Sequence, residues 1–155
     1  MTTRSTDVYV SKEGMKEFAV CGGCQAFYHD KRWYPAGDES VSAGSGALRH
    51  EVTCPACQRM RDNNPAGVVT FSGDYLVAHE NAILNAIRNV EEKSRAKNPL
   101  SRIMGIGQEG NGLIVRTTDE RLAEKLGKEI YRAHSGDLTF QWSKQESFVR
   151  VNWHR

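Results

Sequence analysis

The sequence predicts an α+β protein with an N-terminal zinc ribbon, a long connecting helix and a C-terminal ββαββ module. Three observations lead there. The four cysteines fall into two pairs, Cys21-Gly-Gly-Cys24 and Cys54-Pro-Ala-Cys57. Apolar residues from Leu76 to Val90 recur with the period of an amphipathic helix. The last third alternates apolar and polar residues on either side of a second helical stretch. The expected boundaries are 1–72 for the ribbon, 73–97 for the helix and 98–155 for the ββαββ domain.

Composition sets the class. The chain has 155 residues, 26% of them charged and 39% hydrophobic, which fits a folded domain and excludes wholesale disorder. It contains no apolar run of about 18 residues, so no membrane helix is expected. The stretch from Met1 to Asp7 lacks the apolar core of a secretory signal, so the expected compartment is the cytoplasm. A net charge of +2, from 21 basic and 19 acidic residues, is too balanced for a histone-like coat. DNA is therefore not an expected partner, and nucleic-acid contact must come from local patches.

The N-terminal segment opens weakly, with Val8-Tyr9-Val10 and then a turn-like Ser11-Lys-Glu-Gly14. The cysteine pairs carry the chemistry. In a reducing cytosol disulfides are disfavoured, and two CxxC pairs with no cysteine left over read as metal ligands. Each pair sets two thiolates on one side of a tight knuckle. Two knuckles face to face make the four-sulfur tetrahedron that Zn²⁺ prefers, and an iron centre is the lesser alternative. Gly22, Gly23 and Pro55 suit such turns. The 29-residue gap reads as a hairpin around Asp30 followed by a Ser42–Ala47 linker. His29 and His50 stand near the pairs as replacement ligands, but four cysteines already complete the shell. A thioredoxin-like redox centre also uses CxxC. It needs a strand before the motif and a helix after it, and no such context is read around Cys54.

After the second pair, Asp62–Pro65 reads as a loop and Gly67–Phe71 as a short strand. Asp74 is the expected cap of the long helix, and Pro99 ends it. About 23 residues at ~1.5 Å each would make a strut of about 35 Å. Gly110-Asn111-Gly112 between apolar runs marks a hairpin. Thr118-Asp119-Glu120 starts a helix with Leu122, Leu126, Ile130 and Tyr131 on one stripe, and Gly136 ends it. Leu138–Trp142 and Val149–Trp153 then form a second hairpin. The expected core places Leu122, Leu126 and Ile130 against Val115, Phe140, Trp142, Val149 and Val151.

Several motifs are decoys. Gly105-Ile-Gly107-Gln-Glu-Gly110 matches a dinucleotide fingerprint, but a strand follows it where a helix is needed. His79, His134 and His154 stand singly, and Glu91 and Glu92 point in different directions on a helix. No catalytic residues are assigned, and no enzymatic activity is expected.

Two basic groups remain. Lys31, Arg32, Trp33 and Tyr34 lie between the cysteine pairs, and Arg59 and Arg61 follow the second pair. Arg88, Lys93, Arg95, Lys97 and Arg102 crowd the end of the long helix. Cations mixed with exposed aromatics suit phosphate tracking and base stacking in RNA.

At the cysteine pairs and the C-terminal half, the chain resembles small bacterial zinc-ribbon proteins. These are related to the zinc-binding region of the large-ribosomal-subunit export adaptor, the nonsense-mediated-decay protein three family. Cys21, Cys24, Cys54 and Cys57 match that family's metal module. Asp119–Gly127 and Asn98–Met104 through Trp153-His154-Arg155 look like its α/β half. The resemblance covers residues 15–155 and lacks the adaptor's further domains and export signals. It implies a Zn²⁺ cofactor and the ribosome or ribosomal RNA as partner, in subunit assembly or in protecting idle ribosomes under stress. The alternatives are a zinc-ribbon protein–protein adaptor and a CxxC thiol oxidoreductase.

Overall fold

The computed structural model of the chain describes residues 19–37 and 50–155. The Val8–Val10 run and the Ser42–Ala47 linker lie outside the described residues. Within them the chain forms nine strands and four helices, a mixed α+β architecture with two mixed sheets.

The smaller sheet has strand order β3-β2-β1-β4. It is built from β1 (Ala19–Cys21), β2 (Phe27–His29), β3 (Arg32–Tyr34) and β4 (His50–Val52). The β2–β3 hairpin closes on Asp30-Lys31, with both residues at positive φ (48° and 63°). A two-residue loop of this kind twists with its strands but normally takes Asn or Gly. β1 and β4 run parallel, with Cys21 opposite Val52. Their C-terminal ends therefore emerge side by side.

β4 leads into α1 (Pro55–Asp62), a helix where the sequence suggested only a knuckle and loop. Its start follows ordinary rules. Pro55 sits in the first turn, and Cys54 is the N-cap, its sulfur accepting from the Cys57 backbone N–H at 3.4 Å. Asn63, at φ 50°, closes the helix as a left-handed cap.

The larger sheet has strand order β6-β7-β5-β9-β8. β5 (Gly67–Ser72) is its central strand, antiparallel to β7 (Gly112–Thr117) and parallel to β9 (Val149–His154). This corrects the expected boundary at residue 72. β5 belongs with the C-terminal module, because Val69 and Phe71 are fully buried in that sheet's core. The ββαββ elements all form. However, the hairpins β6 (Ile103–Glu109)–β7 and β8 (Asp137–Trp142)–β9 do not pair with each other, and β5 lies between them. The first hairpin turns on Gly110-Asn111, with Gly110 at φ 59°.

The connecting helix is also corrected. It splits at His79 into α2 (Asp74–Ala78) and α3 (Glu80–Lys97), and Gly73 rather than Asp74 is the N-cap. It is not a free strut. Ile83 and Ile87 are fully buried in the same core as Leu122, Leu126 and Ile130 of α4 (Glu120–His134). Asp119 caps α4 by accepting from Arg121 N–H at 2.6 Å. Trp142, expected in the core, is 51% exposed, and Tyr131 is exposed too. Trp153 fills the core instead. No described helix is long and apolar enough to cross a membrane.

Candidate metal centre and basic seam

The parallel β1–β4 pairing explains how two cysteine pairs 29 residues apart meet. Cys21 ends β1, and its knuckle is closed by Cys21 N–H donating to Ala26 O (2.7 Å) and Gln25 N–H donating to Cys21 O (2.9 Å). Gly22 N–H donates across to Val52 O at 2.9 Å, tying the knuckle to β4 just before Cys54. The ligand atoms of Cys21, Cys24, Cys54 and Cys57 all lie within 4.8 Å of one another. The Cys24 and Cys54 sulfurs are 3.7 Å apart. A tetrahedron with metal–sulfur bonds of ~2.3 Å has edges of about 3.8 Å, so the Cys24–Cys54 spacing matches one such edge and the cluster is compatible with a metal site. His29 and His50 are not among these ligand groups.

The second pair departs from the expected face-to-face knuckles. Cys21 and Cys24 lie on a knuckle, whereas Cys54 and Cys57 sit at a helix N-terminus that follows a strand. The strand–helix context read as missing around Cys54 is therefore present. Two more cysteines close to the same sulfurs distinguish it from a lone redox pair.

The electrostatics separate the thiols. Burial pushes the Cys21 thiol up, but backbone N–H donors from Cys54, Cys24 and Gly23 outweigh it and bring it down to about 6. Cys54 N–H stands 3.3 Å from Cys21 Sγ. Burial raises Cys24 and, far more strongly, Cys54, where the neighbouring cysteines add to it. One charge opposes this crowd. Arg102, only 6% exposed, extends Nη2 to Cys57 Sγ at 3.1 Å and to Cys54 Sγ at 3.6 Å. The sequence offered no local signal for it, since Arg102 follows Cys57 by 45 residues and read as one more helix-end cation.

The basic residues divide. Arg59 is 5% exposed and donates to Asn64 O at 2.9 Å, which makes it part of the α1 scaffold rather than a surface contact. Arg61 is exposed and pairs with Asp62 at 3.1 Å. Trp33 is 9% exposed and packs edge-on to Tyr28, so the expected stacking platform is withdrawn for it. Tyr34 is half-buried, stacked on Phe27, with the Arg32 guanidinium 5.3 Å from its ring centre.

On α3 the exposed cations do not share one face. Arg88 and Arg95, seven apart, take one flank, and Lys93 and Lys97, four apart, take the other. Lys97 reaches the metal module. A concavity of about 340 Å³ is lined by Lys31, Arg32, Trp33, Lys97, Asn98 and Leu100, with no acidic residue among them. Gly105, Gly107 and Gly110 lie on β6 and its turn, which lead into β7 rather than into a helix. Comparison of the chain with known protein families, curated proteins and solved structures found no match.

Proposed function

We propose that the protein is a non-enzymatic, zinc-stabilised protein of the cytoplasm that binds the ribosome or ribosomal RNA. The observation that carries this reading is the shared concavity. Lys31 and Arg32 from the β2–β3 turn meet Lys97 and Asn98 from the end of α3, although 65 residues separate Arg32 from Lys97. Three cations without a carboxylate suit a phosphate backbone, and Tyr34 adds an aromatic surface beside them. The turn residue supports the same reading. Lys31 holds a left-handed conformation that costs a non-glycine residue about 1 kcal/mol or more. Local folding would favour Asn or Gly there, so a lysine points to a use for its charge. Four sulfur donors within 4.8 Å of one another favour Zn²⁺ over hard, oxygen-seeking cations.

The test is sedimentation of a lysate through a gradient, with and without ribonuclease, followed by salt titration of RNA binding. The protein is expected to co-sediment with ribosomal particles in an RNA-dependent way. Lys31→Ala combined with Lys97→Ala should weaken binding and lower the log–log salt slope by about 0.7–0.9 per lost phosphate contact. Arg88→Ala with Arg95→Ala, on the other flank of α3, should leave it unchanged. Binding that resists both salt and ribonuclease would favour the protein–protein adaptor.

A thiol-redox reading draws on one observation, that Cys54 caps α1 directly after β4. It expects metal-free protein with a reducible Cys54–Cys57 disulfide. Mass spectrometry of the native protein separates it from the zinc reading.

A further inference from the structure

Arg102 raises a problem of charge. A buried guanidinium needs a counter-charge, because desolvating an unpaired cation costs several kcal/mol. The groups that Arg102 Nη2 meets are the sulfurs of Cys57, at 3.1 Å, and Cys54, at 3.6 Å. Its Nε is buried without a hydrogen-bond partner among the described residues, so the sulfurs are the main anchor of the group. Four thiols supply the charge poorly, since thiolates within 4.8 Å repel one another. Four thiolates around one Zn²⁺ carry a net −2 and supply it well.

The backbone around Arg102 is built to aim it. Arg102 N–H donates to Thr118 Oγ1 at 2.9 Å, and Thr118 N–H donates to Arg102 O at 2.9 Å. Thr118 Oγ1 also donates to Leu100 O at 2.6 Å, and Ile103 N–H donates to the Glu91 carboxylate. Leu100 packs into the apolar cluster that holds Cys21, Cys54, Tyr28 and Trp33. The segment Leu100–Ile103 is therefore fastened to the α/β module by its backbone and reaches the metal module by the side chains of Leu100 and Arg102.

We propose that Arg102 is a metal-dependent clasp, held in the seam by the surplus negative charge of the loaded sulfur cage, so that metal binding and docking of the two modules reinforce each other. The clasp rests on the zinc reading above and is independent of the RNA reading. Linkage makes the effect reciprocal. Docking strengthens metal binding by the same factor by which metal strengthens docking. The basic concavity has Lys31 and Arg32 on one side of the seam and Lys97 on the other, so its shape follows metal loading.

The experiment compares the full chain with Arg102→Gln and Arg102→Lys. Zinc content is measured by native mass spectrometry, and zinc affinity by competition with a chromophoric chelator. Amide hydrogen exchange is read at Leu100, Arg102 and Thr118 in loaded and stripped protein, with the Leu126–Ile130 amides of α4 as the internal standard for the fold. The parent should hold one zinc and lose seam protection when stripped. Arg102→Gln should bind zinc about 10–100-fold more weakly and leave the seam open even when loaded. Arg102→Lys, which keeps the charge, should recover part of both. Parent-like zinc affinity and seam protection in Arg102→Gln would overturn the clasp alone. A parent that binds no zinc would overturn the zinc reading and the clasp together. Loss of α4 protection in both variants would make Arg102 a residue of the fold and likewise overturn the clasp.

Discussion

Gly23 shows how little room the sulfur cage leaves. A Cβ on it would stand 3.0 Å from Cys57 Sγ and 3.7 Å from Cys21 Sγ. Gly23→Ala should therefore push Cys57 Sγ by a few tenths of an ångström and weaken zinc retention against a chelator. Gly107→Ala should leave retention unchanged, because nothing lies within 4 Å of its Cβ position. Gly127 makes the same argument in the core. In an exposed helix, Gly→Ala stabilises by about 0.8–1.0 kcal/mol. Here the new methyl would meet Val151 Cγ1 at 2.6 Å and Leu138 Cδ1 at 3.0 Å. Overpacking costs about 1–3 kcal/mol, so the predicted sign reverses. A urea midpoint for Gly127→Ala above that of the parent would refute this. At this scale the sequence was readable where chemistry is local. The four cysteines pointed by type and spacing to a cluster, and the structure brings their sulfurs within 4.8 Å of one another, compatible with a metal site. Arg102 did not declare itself, because its partners lie 45 and 48 residues away. Trp33 was misread for a related reason. An aromatic beside cations looks like a stacking surface until the strand pairing turns it inward against Tyr28.

Among the elements, β5 changes the architecture most. Its alternation was legible, with Val69 and Phe71 on one face, and so was its identity as a strand. Its neighbours were not legible, because pairing partners leave no trace in a local pattern. The consequence is testable by truncation. Residues 65–155 carry β5 and should fold, with dispersed amide resonances. Residues 98–155 lack it, so their two hairpins have no strand to join them and should remain largely unfolded. Equal folding of both fragments would contradict β5 as the central strand. The short helix α1 escaped notice because eight residues that begin with Pro55 and carry several polar side chains resemble a loop. The break at His79 escaped for the opposite reason. The apolar period continues through it, while the His79 ring stacks on Tyr75 at 3.9 Å and its Nδ1 lies 3.0 Å from Tyr75 O.

For the whole molecule, the two modules differ in what holds them. The larger has an extended apolar core that includes Phe71, Leu122, Leu126, Ile130 and Trp153. The smaller buries mainly Ala19, Ala26, Ala56, Tyr28, Trp33 and its cysteines. On the proposed zinc reading, a core that small draws its stability from the metal. Stripping zinc should therefore expose Trp33 while Trp153 stays buried. Tryptophan emission should shift to the red on chelation in the parent and stay fixed in Trp33→Phe. A parallel red shift in both would place the change in the larger module.

The parallel pairing of β5 with β9 joins residues 82 positions apart, as between Ser72 and His154. On the ribosome, at about 5–20 residues per second, β5 waits roughly 4–16 seconds before its parallel neighbour exists. During that interval α2, α3 and the β6–β7 hairpin emerge first, and β7 is the strand that can pair with β5 straight away. One edge of the nascent β5 stays unpaired, with Val69 and Phe71 only partly covered, until the last strand arrives. Synthesis thus imposes an order on this fold in which the centre of the sheet is laid down early and sealed last.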